Sequence, residues 1–190
     1  KEPEYRSVPE IYALGFWGRR AHIEKLHSRQ QGTKKGRGLV LHIAPSNMPT
    51  MFAYSWICAL LAGCSSIVRI STKENAVTDM ILEGINKVMA EPGYEEIREQ
   101  NRFVRFEHSD ETLAEISGRT AGRIIWGGDE TVAHISGIPA REGCVDITFP
   151  DKYSIAVLDG DRINGLTEDE LKVQAHLFYN DTYGADQNAC

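Results

Sequence analysis

Apolar residues in this chain fall into short unbroken runs separated by longer stretches where they recur every three or four positions. The first run, residues 39–43, is apolar on both faces apart from His42, as in a parallel strand covered on both sides. Residues 66–71, 102–107 and 122–126 are predicted as three more strands. Between them, residues 50–62 and 75–90 have helical spacing, the second through Val77, Ile81, Ile85, Val88 and Met89. Gly63 is a natural left-handed stop for the first helix, and Glu91-Pro92-Gly93 ends the second. Asp110 is placed to cap a third helix through Ser117. The alternation predicts an α/β fold: a doubly wound parallel sheet with helices on both faces.

Beyond residue 126 the pattern predicts a short helix at 131–137, strands at 145–149 and 154–158, and a polar loop at 159–165. Thr167-Glu168-Asp169-Glu170 is a capping box that opens a last helix. Residues 1–37 read as a helical and extended N-terminal segment, with a helix over 20–30 and a Gly/Lys/Arg loop at 32–38. Residues 38–190 read as one domain.

The 190-residue chain is 42% hydrophobic and 25% charged, values that favour a packed core over disorder. A net charge of −6 argues against a sequence-independent nucleic-acid binder. The apolar run 51–62 is too short to span a bilayer, and the first residues lack the apolar stretch of a signal peptide. Cys58, Cys64, Cys144 and Cys190 show no C-x-x-C spacing and no nearby His pair, so no metal is expected. Reduced thiols in a cytoplasmic protein are the simplest account. The sequence stops at Cys190, directly after a helix, which suggests a piece of a larger protein.

Four places could carry chemistry. Pro45 and Pro49 fix the backbone on either side of Asn47, at the carboxyl end of a strand, where open α/β sheets bind ligands. An ordinary strand-to-helix turn uses the same residue types. Gly127 and Gly128 form a second strand–glycine–helix junction, at which a phosphate can approach backbone N–H groups. Asp129 would repel such a phosphate, or serve instead as the N-cap. Arg69, Ser71, Thr72 and Lys73 lie at the end of the second strand; they suit a ribose phosphate, or form a solvated strand end. Cys190 follows the polar run Asp186-Gln187-Asn188-Ala189, a setting that fits a thiolate nucleophile better than a packed core. Cys58 and Cys64 are expected in the core, and His42 is expected to be a satisfied core residue.

Taken together, these segments resemble the aldehyde dehydrogenase superfamily. Ile43-Ala44-Pro45-Ser46-Asn47-Met48-Pro49 is similar to its Pro-x-Asn-x-Pro loop. Ile67-Val68-Arg69-Ile70-Ser71-Thr72 is similar to its strand ending in Lys-Pro-Ser-Glu, and Ile125-Trp126-Gly127-Gly128-Asp129-Glu130-Thr131-Val132 to its Phe-Thr-Gly-Ser-Thr-Glu-Val turn. Cys190 falls where the nucleophile is expected. The variants around Asn47 and the closing Asp-Gln-Asn-Ala-Cys resemble the acyl-CoA reductase branch, typified by the fatty-acid reductase of bacterial bioluminescence. The likeness runs from about residue 38 to Cys190.

The resemblance implies a Rossmann-like cofactor domain that ends at the start of a catalytic domain. It implies that Cys190 carries the acyl group and that Asn47 is an oxyanion-hole donor, a role worth roughly 3–4 kcal/mol. It assigns Gly127 and Gly128 to the cofactor pyrophosphate, and Ser46, Arg69, Ser71 and Thr72 to its adenosine side. Thr72 stands where the family has an acid that pairs with ribose hydroxyls, which tilts the expectation to NADPH over NADH. Thr148-Phe149-Pro150-Asp151-Lys152 replaces the Glu-containing segment of hydrolytic members, in keeping with reduction of the acyl-cysteine. The implied partners are an acyl-CoA or acyl-protein thioester, with a homo-oligomer or acyl-transfer proteins as further candidates. A CoA-acylating NAD-dependent aldehyde dehydrogenase and a non-catalytic nucleotide-binding module are the rival readings.

Overall fold

Three helices, α1 (Pro3–Arg6), α2 (Pro9–Trp17) and α3 (Arg20–Ser28), precede the sheet. Next come β1 (Leu39–Ile43), α4 (Met51–Leu61), β2 (Ser65–Arg69), α5 (Ala76–Met89), α6 (Glu95–Gln100) and β3 (Asn101–Val104). The chain continues through α7 (Asp110–Ser117), β4 (Gly122–Trp126), α8 (Asp129–Gly137) and β5 (Val145–Phe149). The computed structural model describes residues 3–29, 32, 35–107 and 109–183. It divides after Pro150 into two units, the second of which carries α9 (Gly160–Asn164) and α10 (Glu168–Tyr183).

The five strands form one parallel sheet in the order β3-β2-β1-β4-β5. Central β1 sets Val40 opposite Ser66 of β2 and Gly122 of β4. The chain winds outward from β1 to β3 on one side, then returns to add β4 and β5 on the other. The strand order therefore reverses between β1 and β4, and the loops that leave these two strands diverge to open a crevice.

Both faces are covered, which is why β1 is apolar nearly throughout. On one face Phe52, Ala53 and Trp56 of α4, with Ile81 and Met89 of α5, pack against Val68 and Ile70. On the other, Leu113 of α7 and Ile135 of α8 pack against Leu41, Ile43 and Ile125. His42 is fully buried, and its ring nitrogens meet the hydroxyls of Ser55 at 2.8 Å and Ser66 at 3.2 Å. It is the satisfied core residue expected from the sequence. Burial alone lowers its pKa to about 4.

Local signals fix the helix ends. The Asn75 side chain accepts from the N–H groups of Val77 and Thr78 and starts α5. Gly63, at φ 73°, closes α4 as expected. Its carbonyl lies where a Cβ on Gly36 would fall only 1.7 Å away, so only glycine can pass at residue 36. A buried ion pair joins the two outer strands on the second side. Arg123, 3% exposed, donates through Nε and Nη2 to the two carboxylate oxygens of Asp146, each at 2.7 Å. Its Nη1 donates to the Ile138 carbonyl, which pins the end of α8 to β4.

Several elements differ from the sequence reading. The N-cap of α7 is Ser109, whose hydroxyl accepts from Thr112 N–H; Asp110 is the first helical residue. Helix α2 was not foreseen, because its apolar residues lie all round rather than on one stripe. Helix α6 was hidden by its polarity. The strand expected at 154–158 is absent: Tyr153, Ile155 and Val157 are exposed and pair with no strand among the described residues. Part of the loop expected at 159–165 is α9, capped by the Asp159 carboxylate. The capping box holds: Thr167 N–H donates to Glu170, and Glu170 N–H donates back to the Thr167 hydroxyl.

Candidate functional site

The carboxyl ends of β1, β2, β4 and β5 lie along one edge of the sheet, and every described candidate residue sits there. The loop after β1 is anchored at its start, where Ala44 N–H donates to the carbonyl of Arg69 at 3.1 Å. At its end Met51 N–H donates to the Met48 carbonyl as α4 begins. Between these ties the two prolines stiffen the chain, and Ser46 and Asn47 form an exposed tip.

A small cleft separates this loop from the connection between β2 and α5. Pro45, Ser46, Pro49, Ser71, Lys73 and Asn75 line it. The sequence-predicted Ser46 and Ser71 are thus brought together, with Thr72 exposed beside them. The Ser71 hydroxyl accepts from Lys73 N–H at 3.1 Å, a turn that fixes the start of the connection.

Arg69 occupies a different position from its neighbours. It is 4% exposed, and its Nη2 donates to the Phe106 carbonyl at 3.1 Å. Its guanidinium lies 5.2 Å from the Phe106 ring centroid. Its Nε is buried and has no hydrogen-bond partner among the described residues. Burial lowers the Arg69 pKa, and Glu107 opposes that shift. The strand end therefore carries a cation held just beneath the surface with one N–H uncommitted.

The glycine junction follows β4. A Cβ on Gly127 would come within 2.9 Å of the Thr131 methyl group, so the turn is tight enough to require glycine. Gly128, not Asp129, is the N-cap of α8, and it offers no side chain to the first helical N–H groups. That leaves backbone donors and the positive end of the helix dipole for an anion. Asp129 and Glu130 in the first turn weaken the local field.

Two aromatic residues at this edge escaped the sequence reading. Trp126 and Phe149, opposite each other in register, stack with ring centroids 3.8 Å apart and planes 7° from parallel. Phe149 is exposed, and the Trp126 indole N–H is buried with no partner among the described residues. The signal was present, since each is the last residue of its strand and precedes a Gly or Pro.

The cysteines separate as follows. Cys64 is buried and Cys58 is half-buried, hydrogen-bonded to Tyr54. Burial pushes the Cys58 thiol pKa up, away from a reactive thiolate. Cys190, the expected nucleophile, lies outside the described residues. No group of three His, Cys, Asp or Glu side chains among the described residues is placed to hold a metal ion. No described helix is long and apolar enough to cross a membrane.

The family model for LuxC, acyl-CoA reductase, matches residues 14–190. The chain belongs to the LuxC acyl-CoA reductase family. No curated protein and no solved structure matches it. LuxC membership makes this a chain of an oxidoreductase family that acts on acyl groups with a nicotinamide cofactor. The edge described above fits such a cofactor on its own evidence. The start of α8 lacks a side-chain cap, although the Gly127 N–H is taken by the Phe149 carbonyl, and the second strand ends on a buried cation whose Nε has no partner among the described residues.

Proposed function

We propose that this chain carries the cofactor-binding part of an NADPH-dependent reductase that converts a fatty acyl thioester to an aldehyde through an acyl-cysteine at Cys190. The reading rests on the convergence at one sheet edge of the Ser46–Asn47 tip, the Ser71–Lys73 turn and the uncapped start of α8.

Gly127 and Gly128 would hold the cofactor pyrophosphate at the helix start. Ser46, Ser71 and Thr72 would face the adenosine ribose, with Arg69 acting from beneath. With Thr72 in place of the family's ribose-binding acid, the Arg69 cation favours a 2′-phosphate over a bare hydroxyl, hence NADPH, and such a phosphate would compete with Glu107 for it. The stacked Trp126–Phe149 pair would form an apolar floor on the nicotinamide side. When bound, NADPH supplies the hydride.

The Cys190 thiolate attacks the thioester carbonyl, the bond from that carbon to the CoA sulfur breaks, and CoA leaves as the thiolate. The Asn47 amide donates to the carbonyl oxygen while it bears negative charge. Reduction at the same carbon regenerates that oxyanion; its collapse breaks the bond to Cys190 and releases the aldehyde. Thr148-Phe149-Pro150-Asp151-Lys152 would stand in place of the Glu-containing segment of hydrolytic members of the superfamily, leaving the acyl-cysteine without that base to activate water.

Incubating the whole protein with tetradecanoyl-CoA and no NADPH tests the covalent step. One acyl mass should appear, and peptide mass spectrometry should map it to Cys190. A label on Cys58, Cys64 or Cys144 would overturn the assignment. Calorimetry should find NADPH bound more tightly than NADH, and Arg69→Ala should weaken NADPH far more than NADH. Equal binding of the two by the wild type would overturn the cofactor choice.

A further inference from the structure

Helix α2 packs against the first core through Ile11 and Leu14, yet it does not close the space between itself and α5. A cavity of about 380 Å³ remains there, lined by Ile11, Leu14 and Gly15 of α2, Gly84 and Val88 of α5, and Ile97 of α6, among others. Its walls are almost wholly hydrocarbon. The one indole in the wall, Trp56, has its N–H engaged by Asn101 at 2.9 Å. The size lies within the roughly 300–1,000 Å³ of small-ligand sites.

Two glycines keep this space open. Gly15 and Gly84 each sit inside a helix, where glycine is a poor choice beside alanine. Neither has a positive φ, and a Cβ at either would meet no atom within 4 Å. Neither backbone conformation nor close helix contact therefore calls for glycine. What the two positions share is the cavity, which any larger side chain would narrow.

The cavity is separate from the proposed reaction site. Helix α5 starts beside the carboxyl end of β2 and runs back along the sheet. Val88 and Met89 lie in its last turn, and Ile97 lies shortly before β3 begins, so this part of the wall is at the amino ends of the strands.

We infer that this cavity is a second binding site that takes the unbranched hydrocarbon chain of a single-chain amphiphile, a fatty acid or fatty acyl group, with its polar head left in solvent. The wall chemistry selects the class. It offers no charged residue to a head group, and an alkyl chain needs none. A family that works on acyl groups supplies such chains. The site does not depend on the roles given to Cys190 or NADPH.

Photolabelling of the whole protein with a tetradecanoic acid bearing a diazirine in its chain tests this. Label should map to α2, α5 or α6, and saturated fatty acids should compete with affinity rising about three- to fourfold per methylene from eight carbons upward. Gly84→Leu, which fills the cavity, should cut labelling at least tenfold without lowering the melting temperature. It should leave acylation of Cys190 by acyl-CoA unchanged, so failure here is distinct from failure of the proposed reaction. If the leucine variant does not fold, Gly84→Ala narrows the same space with a better helix former and should cut labelling by a smaller factor. Label mapped elsewhere, competition independent of chain length, or labelling indifferent to both variants would each overturn the site. So would absence of label in a protein whose α2 face is covered by a second copy.

Discussion

Replacing His42 should change how the protein's stability responds to acid. In the unfolded chain this imidazole titrates near its ordinary value of 6.5, and in the fold near 4. The native state therefore favours the neutral ring, and below pH 6.5 the unfolded chain takes up a proton that the folded one refuses. The stability tied to this refusal is fully present above pH 6.5 and is lost as pH falls towards 4. A gap of about 2.5 units at about 1.36 kcal/mol each amounts to roughly 3 kcal/mol, of which about 2 kcal/mol is gone by pH 5. His42→Gln keeps a donor and an acceptor for Ser55 and Ser66 but removes the titration. Urea unfolding of both proteins at pH 7, 6, 5 and 4.5 gives the comparison. The wild-type curve should fall more steeply than the variant's, and the gap between them should close by about 2 kcal/mol from pH 7 to pH 5. Parallel curves would refute the account and mean that the ring is protonated in the fold or reached by water.

Asn47→Ala should lower turnover of an acyl thioester by roughly 100- to 1,000-fold with NADPH affinity retained, read by steady-state kinetics and calorimetry; near-normal turnover would return this loop to the role of a structural turn. Asp146→Ala should destabilise the protein by about 3 kcal/mol, since it strands a buried guanidinium, and calorimetry should find melting lowered by roughly 6–12 °C. The double variant Arg123→Met/Asp146→Leu should recover most of that loss, because no unpaired charge then remains buried. Gly127→Ala should cost about 1–3 kcal/mol through overpacking against Thr131, and adding Thr131→Ala, which removes the 2.9 Å methyl contact, should restore part of it in the same melting assay.

The parallel sheet was legible because its central strands are buried on both faces, so residues 39–43 and 122–126 are mainly apolar, broken by His42 and Arg123, and polar loops punctuate them. The loop around Asn47 was legible for another reason: two prolines and a strand end leave the backbone few alternatives. What escaped depended on partners distant in sequence. Trp126 and Phe149 became a stacked pair only once β4 and β5 were placed in register. Residues 154–158 alternate like a strand, but a strand needs a neighbour to accept its N–H groups, and local pattern cannot supply one. Helix α2 lacked the one-sided stripe by which surface helices are recognised. Arg69 was identified from its place at a strand end, whereas its burial against Phe106 follows from how the chain leaves β3.

The central place of β1 has a consequence for the order in which the protein is made. Its partner on one side, β2, follows after a single helix, but its other partner, β4, emerges from the ribosome only after two more crossovers. Until Gly122–Trp126 has been synthesised, Leu39–Ile43 presents an open strand edge, apolar on both sides of the nascent sheet. Such an edge invites pairing with other chains. Slow synthesis between β3 and β4 would prolong that exposure, and a chaperone that shields short apolar segments would relieve it. The strand that leads into the loop of the candidate oxyanion donor is thus the one whose completion waits longest.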